Sequence, residues 1–364
     1  MTSPLNKKLA DLGEFGFISR IATASKQGVG VMTGIGDDSA VMQLTPGMQL
    51  MTSTDMLLED VHFRRAWHDP YRLGRKSLAV NLSDIAAMGG IPRWTMLSLA
   101  IPADLPLDFL DEFTRGFLSM ADEHGVSLVG GDTCASKSGL VISVTIMGEQ
   151  IPELIVRRSG TSPGDDIWVT GTLGDAALGL KMLEEKNNDL PHPHPNPPFE
   201  REGTLKLLPL QGGGREGDGV AFLLSRLLDP APRVSAGLAL AESGLVTAMI
   251  DISDGLLADF GHIAEQSGVG GLIRLADLPF SAHCRSLASQ LTDLTESLAL
   301  SGGEDYGLCF TALQANREKI ADCMKKCGVE ATPVGIVTNL PGVKVVNNDG
   351  SLCDVQIQGF KHFA

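Results

Sequence analysis

Apolar and polar positions change period several times along the chain, and each change marks an element. From Leu5 to Ile21 the apolar residues recur every three or four positions, which predicts a helix, and Gly-rich turns with two short β-like runs (Ser39 to Leu44, Met48 to Ser53) follow. Asp69-Pro70 joins a capping residue to a first-turn proline. Ser77, Leu78, Asn81, Leu82, Ile85 and Met88 then fall on one face of a helix that stops at Gly89-Gly90. Trp94 to Ile101 reads as a strand and Leu107 to His124 as a helix. A short strand, Val126 to Val129, enters Gly130-Gly131-Asp132, and Leu140 to Met147 alternates as another strand.

Past Pro163-Gly164 the alternation resumes. Ile167 to Thr170 predicts a strand, Gly171 to Gly174 opens a helix to about Lys186, and further helices are expected over 220–228 and 233–243. Val246 to Ile250 forms a strand that delivers Asp251, and a helix follows from Asp254. Tyr306 to Thr311 is strand-like, Gln314 to Cys327 helical, and Ala331 to Val346 strand-rich. The class is α/β or α+β, in two domains, 1–150 and 151–364. Within the second stands Asn187 to Gly219, where PHPHPNPP and GGGREGDG lack any apolar period and predict a structureless surface insertion. The His192 and His194 pair inside it is a chance spacing rather than a metal site.

Composition narrows the function classes. The 364 residues carry 29 Lys+Arg against 44 Asp+Glu, a formal net charge of −15, so no basic surface is available for a phosphate backbone and nucleic acid is excluded as a partner. No stretch reaches the ~18 uninterrupted apolar residues of a membrane span, and the N-terminus has no apolar leader core, so a cytoplasmic location is expected. The six cysteines show no CxxC or zinc-type spacing; Cys323 and Cys327, four apart, read as neighbouring core residues.

The acids are informative by position. Asp37 and Asp38 follow Gly34-Ile-Gly, Asp55 follows Met51-Thr-Ser-Thr, Asp132 follows Gly130-Gly131, Asp251 and Asp254 bracket Ile-Ser, and Glu304-Asp305 follow Ser301-Gly302-Gly303. Acids after strands and on glycine turns stand where α/β folds bind ligands. Any one of them is an ordinary turn or cap, and Asp254 alone would simply cap its helix. Asp84 is different, because a carboxylate on the inner side of a helix end is disfavoured by burial and by the helix dipole unless a cation offsets it. Together the acids predict hard divalent cations, with Ser53, Thr54 and Ser253 adding hydroxyls, an arrangement suited to phosphoryl transfer. There is no Walker-type lysine loop, and Asp259-Phe260-Gly261 spells a kinase motif without the rest of a kinase around it. A faint internal echo, [ST]-D-x-L-L-x-D, occurs at Thr54 to Asp60 and again at Ser253 to Asp259.

The segments GEFGFI (13–18), GIGDDSAV (34–41), TSTDMLLEDVHF (52–63), AVNLSDIAAMGGIP (79–92), VGGDT (129–133), RSGTSPGDDIWVTGTLGD (158–175), DISDGLLADFGHIAEQSG (251–268), SGGEDYGLCFT (301–311) and GFKHF (359–363) resemble the thiamine-monophosphate kinase family of the aminoimidazole ribonucleotide synthetase-like superfamily. They run in order along nearly the whole chain; the insertion departs from the family. The resemblance implies two α/β domains, an N-terminal sheet that pairs with its copy in a homodimer, and transfer of the ATP γ-phosphoryl to thiamine monophosphate with several Mg²⁺ ions in a cleft between domains. By motif position it implies Asp38, Ser53, Thr54, Asp55, Asp84, Asp132, Asp251 and Asp254 as Mg²⁺ ligands. Gly131, Asp132, Arg158 and Ser253 would meet ATP, and His62, Glu304 and Phe360 thiamine monophosphate. It implies no general base and no covalent nucleophile. Two sister activities are disfavoured: no Cys precedes Cys134, as selenophosphate synthetase would need, and the chain ends His362-Phe363-Ala364 without the cysteine tail of the hydrogenase-maturation dehydratase. A non-catalytic protein that binds Mg-ATP is the alternative from another class.

Overall fold

The computed structural model describes residues 9–187, 215–288, 295–347 and 349–353. Phe360, His192 and His194 lie outside them, as does the core of the insertion. The ends of that insertion are helical, since α5 includes Asn187 and α6 begins at Arg215. The chain forms two units: the described residues up to Ile85 with Gly90–Pro152, and Ala86–Gly89 with the described residues from Glu153 onward.

The first unit opens with α1 (Leu9–Leu12) and α2 (Glu14–Ala24), two helices where the periodicity predicts one. Gly13 stands between them at φ 74, a left-handed value that glycine takes without strain, so the helix breaks there. The short strands β1 (Val31–Thr33) and β2 (Val41–Met42) pair antiparallel. The main sheet holds β3 (Gln49–Leu58), β4 (Ile91–Pro102), β5 (Ser127–Ser136) and β6 (Val141–Gln150) in the order β3-β6-β4-β5, with only β4 and β5 parallel. Between these strands run α3 (Pro70–Ala87) and α4 (Leu107–Glu123). Asp69 caps α3 as the sequence predicts, its Oδ1 accepting from Arg72 N at 3.0 Å. At the other end Gly90 N donates to Ile85 O and Gly89 N to Ala86 O, the bond pair of a Schellman stop, with Gly89 at φ 68. Met88 falls past the last turn and is exposed, so it leaves the apolar face on which the spacing places it.

Two strands are longer than their apolar runs predict. β3 continues through the polar run Thr52 to Asp55, because every residue from Gln49 to Leu58 pairs with β6. β5 continues through Gly130, Gly131 and Asp132, which pair with Met96, Leu97 and Ser98 of β4. Asp55 and Asp132 therefore stand within strands rather than on turns. Gly131 must be glycine for this: a Cβ there would lie 1.8 Å from Leu97 O. Alternation then gives the sheet an inner face, with Leu97, Leu99, Ile142, Val144 and Ile146 all buried, and an outer face where Leu50 and Met56 are 52% and 55% exposed. α3 covers the inner face near β3, since a Cβ on Gly148 would touch the Ile85 side chain at 3.2 Å. α3 and α4 cross closely enough that Cβ atoms on Gly74 and Gly116 would collide with backbone carbonyls at 2.0 and 1.9 Å.

The second unit is a seven-stranded sheet with helices. Its elements are β7 (Asp166–Thr170), α5 (Asp175–Asn187), α6 (Arg215–Leu228), α7 (Val234–Ser243), β8 (Val246–Ile252), α8 (Leu256–Ser267), β9 (Gly270–Arg274), α9 (Ala282–Ala288), α10 (Thr295–Ser301), β10 (Gly307–Ala312), α11 (Arg317–Lys326), β11 (Ala331–Thr338), β12 (Gly342–Val346) and β13 (Leu352–Cys353). The strand order is β13-β12-β9-β11-β7-β10-β8, with β12 and β9 the one parallel pair. The core gathers Ile167 and Val169 of β7, Ala248, Ile250 and Ile252 of β8, and Leu256, Leu257, Phe260 and Ile263 of α8. Packing α8 onto β8 fixes the turn between them. Among the described residues no helix is long and apolar enough to cross a membrane.

Candidate active site

In the first unit the inner face of β3 meets α3 through polar groups. Ser53 Oγ donates to Asp84 Oδ2 at 2.5 Å, and Asp55 N donates to Asn81 Oδ1 at 3.2 Å. Asn81 is itself held by its Nδ2 bond to Ser77 O at 3.1 Å. Asp55 and Asp84 thus share one patch at the β3–α3 contact. Burial, and secondarily the Asp84 charge, push the Asp55 carboxyl up to about 6. The Asp84 charge thus bears on the ionised form of Asp55, a repulsion that a cation between the two would relieve.

The pleat divides the other predicted ligands of this unit. Thr54 sits one residue out of phase, its hydroxyl donating to Val144 O at 3.0 Å, so only its backbone can serve a ligand shared with Asp55. The row Met56, Ser143, Ser98, Asp132 puts Asp132 on the outer face, whereas Asp55, Val144, Leu97 and Gly131 share the inner one. Three strand spacings, about 14 Å, separate β5 from β3. Within one chain Asp132 and Asp55 cannot hold the same ion. Asp38 stands apart on an exposed turn, its backbone N bonded to Asp37 Oδ1 at 2.9 Å. His62 lies in the tight turn after β3. Its Nδ1 accepts from Leu58 N at 3.1 Å, so in the neutral ring Nε2 carries the proton.

In the second unit the turn from β8 to α8 is the acidic centre. Asp251 is buried near the end of β8, and Asp254 follows, but Asp254 does not cap α8; Gly255 at φ 112 occupies that position. The acid that organises the turn is Asp259. Its Oδ2 accepts from the backbone N of Ser253, Asp254 and Gly255 at 3.1, 3.1 and 3.0 Å. Burial and the charges of Asp251 and Asp254 nonetheless push Asp259 up to about 8. Sequence reasoning gives this residue no site role; it stands only in the dismissed Asp259-Phe260-Gly261 tripeptide and at the last position of the [ST]-D-x-L-L-x-D echo. The Ser301 to Tyr306 segment hangs on the same turn, with Glu304 N donating to Ser253 O and Tyr306 N to Ile252 O, both at 2.8 Å. Arg158 lies on an exposed loop before β7.

Among the described residues no three His, Cys, Asp or Glu side chains come together as a metal-holding group. Carboxylates occur instead in smaller groups: Asp55 and Asp84 with the Ser53 hydroxyl, and Asp251 and Asp254, whose charges both act on Asp259. Mg²⁺ takes one or two carboxylates and completes its shell with waters and phosphate oxygens, so hard-oxygen pairs fit it better than a complete protein cage would.

Residues 36–150 match the family described as AIR synthase related protein, N-terminal domain, and residues 162–347 match its C-terminal domain. The chain is 36% identical over 356 residues to the thiamine-monophosphate kinase of Escherichia coli K12, covering 97% of this chain and 98% of that one. The Bacillus subtilis thiamine-monophosphate kinase is 31% identical over 353 residues, covering 97% and 100%. Among solved structures, the thiamine-monophosphate kinase of Stenotrophomonas maltophilia K279a superposes with a TM-score of 0.78 at 36% identity, covering 94% of this chain and 98% of its own. A complex described as AaThiL with AMPPCP and TMP superposes with a TM-score of 0.70 at 30% identity, covering 98% and 99%.

Proposed function

The chain belongs to the AIR synthase related family, and from that premise we propose that it is a thiamine-monophosphate kinase, transferring the γ-phosphoryl of ATP to thiamine monophosphate and releasing thiamine diphosphate and ADP. One observation carries the reading: relatives bearing this activity align end to end with the chain, and one of them is solved with a nucleotide analogue and TMP together. The site chemistry supports it, because each unit carries close acids of the kind that bind Mg²⁺ together with phosphate oxygens.

Mg²⁺ would supply charge neutralisation between two polyanions. Asp55 and Asp84 would hold it in the first unit and Asp251 and Asp254 in the second; for Asp38 and Asp132 we keep separate roles, Asp132 with Gly131 at ATP. The Ser253 hydroxyl is suited to donate to a phosphate oxygen, and Arg158, with its fork of donors, to a phosphate reached from its exposed loop. His62 would donate from Nε2 to the thiamine phosphate. Glu304 would face the thiazolium cation, where a carboxylate is favoured, with Phe360 as a ring to cover it. The attacking phosphate oxygen is already anionic near neutrality, so no general base is required. Each residue's task is therefore to bind, orient and neutralise.

We also propose a homodimer through the outer face of the first unit's sheet. Leu50 and Met56 stand exposed there, and a second copy of the same sheet would bring its own Leu50 and Met56 to cover them.

Purified protein incubated with Mg-ATP and thiamine monophosphate should form thiamine diphosphate and ADP in equal amounts. Absence of thiamine diphosphate, with aminoimidazole ribonucleotide formed from its own precursor, would overturn the assignment.

A further inference from the structure

Asp305 is adjacent to Glu304, yet it points the other way, into the core of the second unit, where it is 2% exposed. Its Oδ2 accepts from Gly174 N at 2.9 Å, across 131 positions of sequence. Gly174 immediately precedes α5, so the Asp305 carboxyl accepts at a helix N-terminus, while burial pushes it up to about 7 and its Oδ1 has no hydrogen-bond partner among the described residues. Gly174 is at φ 80, and a Cβ there would meet Ala299 N at 3.0 Å, which is why a glycine can bring its N–H this close. On the main-chain side, Arg226 Nη2 donates to Asp305 O at 3.3 Å. Asp305 is held by its side chain to α5 and by its carbonyl to α6.

Its two neighbours are the strained ones. Glu304 has φ 62 and Tyr306 φ 48, left-handed values that residues with a Cβ rarely adopt, and Gly303 precedes them at φ 67. Strain of this kind persists only where surrounding structure over-determines it, and it gathers at ligand-holding positions. Here the determinants are visible. Glu304 N and Tyr306 N are bonded to the β8–α8 turn, and the residue between them is bolted to α5 and α6.

We propose that Asp305 is a positioning residue for Glu304: its buried carboxylate, seated on the N-terminus of α5, holds the Glu304–Tyr306 turn in the left-handed conformation that presents Glu304 to the thiamine ring. This rests on the reading of Glu304 as the thiamine contact, and Arg226 acts with Asp305 through its carbonyl.

The test is a double-mutant cycle on steady-state constants. Glu304→Ala should raise KM for thiamine monophosphate; if it does not, the reading of Glu304 fails. Asp305→Ala should raise the same KM about tenfold while KM for Mg-ATP stays within about twofold, and in the Glu304→Ala background that rise should vanish, since Asp305 acts through Glu304. Asp305→Asn, whose amide oxygen still accepts from Gly174 N, should recover most of the loss. Arg226→Gln keeps the core acid in place and should give a smaller rise, about threefold, that also vanishes without Glu304. Equal effects on both substrates, or an unchanged effect of Asp305→Ala or Arg226→Gln in the Glu304→Ala background, would show a purely structural role and overturn the proposal.

Discussion

Replacing Asp84 by Asn separates the cost of the first unit's carboxylate pair from its use. Asp55, half-buried on β3, is pushed from 3.8 to about 6, first by burial and then by the Asp84 charge. A displacement of that size corresponds to about 3 kcal/mol against the ionised form, of which the smaller part belongs to Asp84. A carboxyl with a higher pKa folded than unfolded binds more protons in the native state between 3.8 and about 6. Stability therefore falls across that window as pH rises, and the full cost applies above it. Asp84→Asn removes the repulsion but keeps an oxygen to accept from Ser53 Oγ. In EDTA at pH 8 the variant should melt higher than the parent, by at most about 4 °C, and at pH 4 the advantage should disappear. Its response to Mg²⁺ should run the other way: the added stability from Mg²⁺ shrinks, and turnover falls about 100-fold or more, the cost of removing one preorganised charge. Differential scanning fluorimetry across pH, with EDTA or Mg²⁺, reads both halves. A variant that melts lower in EDTA at pH 8, or that keeps the parent's Mg²⁺ response, would refute the idea that Asp55 and Asp84 are a repelling pair held for a cation.

The remaining expectations are shorter. Mg²⁺ binding at pH 6 should release protons as Asp55 ionises, so the heat of titration should depend on buffer ionisation enthalpy; identical heats in two buffers would count against it. Gly74→Ala places a Cβ 2.0 Å from Phe113 O, forcing α3 and α4 apart, and should cost about 1 to 3 kcal/mol in denaturant unfolding, with an unchanged midpoint refuting the close crossing. Met56→Glu puts a charge on the outer sheet face and should shift sedimentation toward a monomer at micromolar concentration; an unchanged profile would place the dimer contact elsewhere.

Much of the architecture is legible in the sequence wherever a cap and a period agree. α3 is the clearest case, with Asp69-Pro70 at one end, an apolar stripe between, and Gly89-Gly90 at the other. The candidate site is legible residue by residue but not in its grouping. Thr52 to Asp55 is polar on both faces, so nothing local says that β3 runs on to Leu58; ten pairings with β6 decide that. Gly130-Gly131 reads as a turn for the same reason, and only the approach of Leu97 O shows why glycines stand inside a strand. Those extensions turn Asp132 and Asp55 onto opposite faces, which a list of acids cannot reveal. Asp259 is hidden differently, because its task is to accept backbone bonds from three consecutive residues, a task that the echo ending on it does not announce.

The two copies of [ST]-D-x-L-L-x-D show how far local pattern carries. At Thr54 to Asp60 the first acid lies within β3, and the following leucines, Leu57 and Leu58, complete the strand before a turn in which Asp60 takes φ 66. At Ser253 to Asp259 the residue after the acid is Gly255, whose φ of 112 lets the chain leave β8 and enter α8, so the leucines become its first turn. One residue therefore separates a strand from a strand–turn–helix. Each solution also needs its own way of keeping the leading acid in place. The strand uses a neighbouring helix, with Asn81 accepting from Asp55 N and Ser53 tethering Asp84. The turn uses the pattern's last acid, Asp259, as a backbone acceptor, an option closed to Asp60 because the intervening residues are extended rather than coiled. Exchanging the middle residues tests this: Gly255→Met should unseat Asp259 from its three donors, since a Cβ there would lie 2.8 Å from Ser301 Cα and at a φ that side chains rarely adopt. The expected result is loss of the Mg²⁺-dependent melting shift together with faster amide exchange at Ser253 and Asp254, and exchange as slow as in the parent would show that the turn does not depend on that glycine.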